Sequence, residues 1–257
     1  MKKVKLYLCL TVCICVFYGC KKGGISTEKF CSERKIENDT VNFVTNICLE
    51  LLVKGDTAVI NKINSTLVKS ILCVDYDQIK PDKAIEEHIA AALEAYHLTV
   101  KELPDESLSY PHSEDIDGVV TFLGKDYLCY KADCSLYAGG AHAINTITNF
   151  VFDLKTGKRL TQGDIFTENY KDALNLQFIE ILRDTLNYPD NDTYDFGAFM
   201  PNWNFAVPEG NFIFIPDTLV YIFNPYEIAP YSSGKIEVKI PYQKIKDIMT
   251  VDLSKLE

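Results

Sequence analysis

Histidine is scarce in this chain, and the scarcity narrows the chemistry available to it. Four histidines, His88, His97, His112 and His142, are spread through 257 residues. No two stand three or four positions apart, so HExxH and the other common zinc-protease spacings are excluded. There is no GxSxG nucleophile elbow and no GxxxxGK[ST] phosphate loop. His112 sits among acids, but one histidine beside Asp and Glu is an ordinary coincidence and makes no metal site. No cofactor or metal is expected. Positive charge is also short: 26 Lys and Arg face 36 Asp and Glu, for a net charge of −10. Such a surface disfavours nucleic acid and anionic lipid heads and favours cationic partners.

Long apolar runs are missing except at the start. Residues 6–18 form an apolar segment behind Lys2, Lys3 and Lys5, too short to cross a bilayer as a helix and shaped like the core of an export signal. It ends in Val16-Phe17-Tyr18-Gly19-Cys20, which resembles a bacterial lipobox, with Phe17 where leucine is usual. On this reading cleavage follows Gly19, and Cys20 carries the diacylglyceryl group that holds the protein at a membrane surface. Removing residues 1–19 takes three lysines and no acid, leaving −13. Residues 20–39 then read as a tether of mixed charge without apolar period, about 25 Å from end to end on average.

Cys9, Cys13 and Cys15 leave with the signal. Cys31, Cys48, Cys73, Cys129 and Cys134 remain, an odd number that leaves at least one thiol unpaired in an oxidising compartment. Cys129 and Cys134 share an expected strand and face opposite sides of it, which argues against a bridge between them. Cys48 with Cys73 is the first pair to test, and buried apolar thiols are the plain alternative.

Hydrophobic period gives an α+β fold: an N-terminal strand plus two helices, then a mostly antiparallel sheet with one long helix packed on it. Residues 41–53 alternate as a strand. Asp56 or Thr57 caps a helix to about Leu72, and a second helix runs from about Asp82 to Leu98, with His88 and His97 on its solvated face. Residues 102–117 are polar and proline-broken and read as a loop, or a loop with a short strand. Residues 118–123, 126–136 and 142–154 then form an antiparallel meander. Thr167 opens a helix to about Leu186 with Tyr170, Leu174, Phe178, Ile181 and Leu182 as its buried stripe. Residues 187–201 read as a polar-aromatic loop. Short strands follow at 203–207, 212–215, 219–223 and 235–240, and a last helix at 242–249.

Two stretches stand out. Residues 137–166, YAGGAHAINTITNFVFDLKTGKRLTQGDIF, begin with a Gly-Gly loop, continue as a strand rich in Ile, Thr, Val and Phe, and end in a turn. Residues 223–240, FNPYEIAPYSSGKIEVKI, set two tyrosines between two prolines ahead of a final strand. Together they resemble the C-terminal domain of RsiV-type, lysozyme-binding anti-sigma factors, a domain that also accompanies the non-catalytic part of the peptidoglycan deacetylase PdaC. The resemblance divides the chain into a signal peptide (1–19), a tether (20–39), a PdaC-like N-terminal α+β domain (40–136) and an RsiV-like C-terminal domain (137–250). It brings neither the deacetylase chemistry, which resides in a separate metal-binding domain, nor sigma-factor control, whose cytoplasmic segment and membrane helix this sequence does not contain.

From these stretches come the candidate binding residues: Tyr137, Gly139, Gly140 and His142 of the Gly-Gly loop, and Tyr226, Glu227 and Tyr231 of the tyrosine loop. No catalytic residue is assigned. The resemblance implies a lipid-anchored envelope protein that binds without catalysis, with lysozyme or peptidoglycan fragments as the ligand class, facing the periplasm from the outer membrane or standing at the cell surface. The alternatives are a cell-wall hydrolase using His142 with Glu227, and a purely structural envelope lipoprotein.

Overall fold

The structure, a computed structural model, describes residues 24–37, 42–76, 79–102, 111–185 and 210–256. The signal peptide, Cys20, the expected loop at 187–201 and the expected strand at 203–207 lie outside these residues. The fold is α+β, as the hydrophobic period implies. Two compact units divide it: Met1–Val119 with Ala132–Thr146, and Val120–Lys131 with Ile147–Glu257.

In the first unit, β2 (Asn42–Lys54) buries Phe43, Thr45, Ile47, Leu49 and Leu51, the alternating face of the sequence. Helix α1 (Thr57–Leu72) starts where the Asp56 side chain accepts from the amides of Ala58 and Val59, both at 3.0 Å. It ends at Cys73, whose φ of 57° is left-handed. Asn64, buried on α1, reaches across to β2: its Oδ1 accepts from Leu52 N at 3.1 Å and its Nδ2 donates to Leu52 O at 2.8 Å. Helix α2 (Pro81–Lys101) has proline in its first turn and buries Ala84, Ile85, Ile89 and Tyr96.

Four expectations are corrected by the structure. Most of the expected tether is strand β1 (Ser26–Glu37), antiparallel to β2. Its charges hid it: β1 stands at the edge of the sheet, where Lys and Glu are common and no apolar alternation is required. Ser32 and Arg34 reach Glu86 of α2 at 3.0 and 2.7 Å. Consequently Cys31 lies opposite Cys48 and is bonded to it, with Cα atoms 4.1 Å apart, so the Cys48–Cys73 pairing is wrong. Cys73 is an exposed thiol, and Cys129 is buried, with its pKa pushed up to about 12 by desolvation.

The second part of the expected loop at 102–117 belongs to β3 (Pro111–Leu123), parallel to β2 from Asn42↔Pro111 to Leu49↔Gly118. Two of its polar residues face partners rather than water. His112 stacks on Phe43 at 4.8 Å between centroids, and Glu114 receives His88. His88 is therefore no solvated side chain: its Nδ1 is 2.8 Å from Leu72 O and its Nε2 3.0 Å from Glu114 Oε2, joining α1, α2 and β3. Burial alone would push its pKa down. The Glu114 bond and charge, with the Leu72 carbonyl, outweigh burial and leave it above the ordinary value.

Strands β4 (Tyr127–Tyr137) and β5 (Ile144–Asp153) complete the sheet in the order β1-β2-β3-β4-β5. In the second unit a short helix, α3 (Gln162–Ile165), precedes α4 (Tyr170–Thr185). A second sheet of β6 (Phe212–Ile215), β7 (Thr218–Phe223) and β8 (Ile236–Pro241) is antiparallel throughout, and α5 (Tyr242–Ile245) follows it. Leu174, Phe178 and Leu182 of α4 share one core with Tyr221, Phe223, Val238 and Ile240, and the Phe178 ring meets Tyr221 edge-on at 4.9 Å. Among the described residues no helix is long and apolar enough to cross a membrane.

Two outcomes follow. Charged His88 donates to both partners, so its contribution is complete below the ordinary value of 6.5 and is lost as pH rises through the raised folded value. Urea titrations should show the gap between the parent and His88→Gln shrinking from about pH 6 to about pH 8. Peptide mapping without reductant should recover Cys31 joined to Cys48 and Cys73 alkylated. Cys31→Ser should cost about 3 kcal/mol for a bridge across this sequence separation of 17.

Candidate binding loops

The Gly-Gly loop is the tip of the β4–β5 hairpin. Gly139 and Gly140 have φ of 82° and 106°, the left-handed values that justify two adjacent glycines. A Cβ added at Gly140 would meet nothing within 4 Å, so conformation and not crowding is what requires glycine there. Tyr137 donates its hydroxyl to Gly140 O at 3.0 Å and closes the loop. His142 is exposed, with Nδ1 3.1 Å from the carbonyl of its neighbour Ala143.

The tyrosine loop leaves the end of β7 and is built around one asparagine. Asn224 N donates to Glu227 Oε2 at 2.9 Å, Asn224 Nδ2 donates to Glu227 Oε1 at 3.2 Å, and Glu227 N returns a bond to Asn224 O at 3.1 Å. Both carboxylate oxygens of Glu227 thus brace Asn224. The Asn224 amide in turn grips β5: its Oδ1 accepts from Ile147 N at 2.7 Å and its Nδ2 donates to Ile147 O at 3.1 Å. Asn211, at the start of β6, does the same one step along. Its Oδ1 accepts from Asn149 N at 2.9 Å, and its Nδ2 donates to Ile147 O at 3.1 Å and to Ile222 O at 2.8 Å. Arg159 completes the series. Its guanidinium lies 4.3 Å over the Phe150 ring and reaches Asn149 O and Gly210 O, both at 3.4 Å, and burial lowers its pKa.

That scaffold holds Tyr226 in an unusual state. Its φ is 73°, left-handed in a bulky residue, yet the residue is 64% exposed. Such a conformation costs about 1–3 kcal/mol and persists where its surroundings fix it. Here Tyr226 N donates to Ala229 O at 3.1 Å, and Ile228 anchors the loop in the core. The Tyr231 ring stands 5.6 Å from that of Tyr226, forming an aromatic pair at the surface.

The seven residues singled out in the sequence therefore fall into two groups. Tyr137, Gly139, Gly140 and His142 lie in the first unit, and Tyr226, Glu227 and Tyr231 in the second. Within each group local bonds set the geometry. The residues that sequence reasoning missed are Asn211 and Asn224. The signal for Asn224 was present in the spacing Asn-Pro-Tyr-Glu, which places the carboxylate three residues after the amide as in a local bracket. Among the described residues, no group of three or more His, Cys, Asp or Glu side chains is placed to hold a metal ion.

Asn224→Ala should destabilise the fold by about 1–3 kcal/mol, because it strands the Ile147 amide and leaves the Ile147 carbonyl with the Asn211 donor alone. Glu227→Gln should cost less. A denaturation double-mutant cycle should show the two effects to be coupled rather than additive.

Residues 163–243 match the family described as "Protein of unknown function (DUF3298)", a span that encloses Asn211, Asn224 and the whole tyrosine loop but not the Gly-Gly tip. No curated protein matches the sequence. Two crystal structures of DUF3298 family proteins share the fold. One, from Bacteroides fragilis NCTC 9343, is 20% identical, with a TM-score of 0.76 over 92% of this chain and 99% of the other. The second, from Pseudomonas aeruginosa PAO1, is 18% identical, with a TM-score of 0.59 over 89% and 96%. Residues 163–243 thus carry the DUF3298 signature, and the fold is shared with proteins of that family.

Proposed function

We propose that this chain is a lipid-anchored cell-envelope protein that binds without catalysis, with lysozyme or peptidoglycan fragments as its ligand class and the Tyr226–Tyr231 loop as the contact. One observation carries this reading: an aromatic pair, Tyr226 exposed and Tyr231 half-buried beside it, sits on a loop whose left-handed Tyr226 is fixed by a dedicated bracket. Rigid tyrosines with an apolar face and a polar tip suit recognition of sugars and proteins, since little side-chain freedom is lost on contact. The resemblance to the RsiV-type domain supplies the ligand class, the export signal with Cys20 supplies the anchor, and the −13 charge suits basic lysozymes.

The hydrolase alternative asks Glu227 to work with His142 as an acid–base pair. Both Glu227 oxygens are held by Asn224, which favours a bracing role for this carboxylate. The binding assay also separates the first reading from a purely structural lipoprotein. At modest salt, lysozyme or muropeptides should be retained by the immobilised chain, and Tyr226→Ala or Tyr231→Ala should weaken retention about tenfold or more, the scale of an aromatic anchor. Retention of neither ligand would end this reading.

A further inference from the structure

Edge strand β1 carries its charges in an order that matches itself. It pairs with β2 on one side, and among the described residues no strand pairs with its other side. The Cα atoms of Cys31 and Cys48 are 4.1 Å apart. That is the close spacing of a non-hydrogen-bonded pair in an antiparallel ladder; a hydrogen-bonded pair stands about 5.5 Å apart. The backbone N–H and C=O of Cys31 therefore point away from β2, and by alternation so do those of Lys29, Glu33 and Lys35. Such an open row of donors and acceptors is a template for one more strand.

We infer that β1 is a self-association edge, on which β1 of a second copy docks antiparallel about a two-fold axis at Cys31. Charge selects both the occupant and the register. A regular ladder sets outward-pointing residues opposite outward-pointing ones, so the axis must pass through a residue position and not between two. With the axis at Cys31, Glu28 faces Arg34 of the other copy and Lys29 faces Glu33, each twice by symmetry, and no like charges meet. An axis at Lys29 or at Glu33 would set that residue against itself. An axis at Ser32 would set Lys29 against Lys35, and one at Phe30 would form no ion pair. The side chains needed are available: among the described residues Glu28, Lys29 and Glu33 form no ion pair, and Arg34 keeps Glu86 at 2.7 Å with donors to spare. Ser32 and Arg34 face α2, so Lys29 and Glu33 stand on the opposite face of the sheet. Charges on an edge ordinarily hold other strands off. In this order they admit one register of one partner, with the ladder supplying affinity and the ion pairs supplying choice.

Sedimentation equilibrium of the full chain, from micromolar to millimolar concentration in density-matched detergent, tests the inference. A monomer–dimer equilibrium is expected. Lys29→Glu and Glu33→Lys should each weaken the dimer about tenfold or more, since each sets like charges opposite one another at two places. Mixed in equal amounts, the two variants should pair with each other as tightly as the parent pairs with itself, and the double variant Lys29→Glu/Glu33→Lys should regain self-association. Circular dichroism confirms that each variant keeps its fold. Amide exchange reads the ladder itself: Lys29, Cys31 and Glu33 should slow as concentration rises, whereas Phe30 and Ser32, turned toward β2, should not change. A chain that stays monomeric throughout would overturn the proposal. So would a dimer indifferent to both single substitutions, a mixture of the two variants that stays monomeric, or a dimer whose formation leaves exchange at Lys29, Cys31 and Glu33 unchanged.

Discussion

In the second unit the outer edge of β5 is closed by side chains where a neighbouring strand would otherwise pair. Asn224 and Asn211 accept from the amides of Ile147 and Asn149 and donate to the Ile147 carbonyl, and the Arg159 guanidinium approaches the Asn149 carbonyl. An asparagine amide carries a donor and an acceptor side by side, the pair that a peptide group offers in a β-ladder. Further along, backbone takes over: Leu160 N donates to Val151 O at 2.7 Å, and Asp153 N donates to Lys158 O at 3.0 Å. The first unit uses the same device, with Asn64 of α1 on both backbone groups of Leu52. An edge left open would expose a template for uncontrolled pairing, and a buried one would strand its polar groups.

The candidate recognition loop is a consequence of this arrangement. Asn224 holds Ile147 in place only if its own amide is oriented, and Glu227 orients it. The short return from Glu227 to Asn224 then forces the intervening Tyr226 into a left-handed conformation and turns its ring outward beside Tyr231. Docking of β5, strain at one residue and display of an aromatic pair are thus one linked geometry. Evolution of a binding surface on such a loop needs no mobile element, since the side chains already stand in fixed positions. Glu227, the carboxylate named in the hydrolase alternative, has both oxygens bonded to Asn224.

Where burial follows a simple period, the sequence was easily read. The alternating face of β2, the Asp56 cap, the stripe Leu174, Phe178 and Leu182, and the strands Phe212–Ile215 and Thr218–Phe223 are all written in apolar spacing. What escaped was structure made by polar residues. Half of strand β1 is charged, and it is held by its backbone ladder, its disulfide and Glu86. The start of β3 pairs in parallel with β2 through Pro111, His112, Ser113 and Glu114, none of which signals a strand. The Cys31–Cys48 bond was hidden for the same reason, since a residue assigned to a tether has no partner opposite it. Of the candidate loops, the glycines at 139 and 140 declared their backbone conformation and the Pro-Tyr-Glu stretch its rigidity. The spacing from Asn224 to Glu227 carried a local sign of the bracket, but the grip of Asn224 and Asn211 on β5 did not show, because each contacts strand residues far away in sequence.

The measurement closest to the centre of this account is amide hydrogen exchange at Ile147 and Asn149. If side-chain amides close the edge of β5, these two protons exchange as slowly as those of the central strand β7, opening only with the unit as a whole. Exchange at the rate of an exposed hairpin, while β7 stays protected, would contradict it.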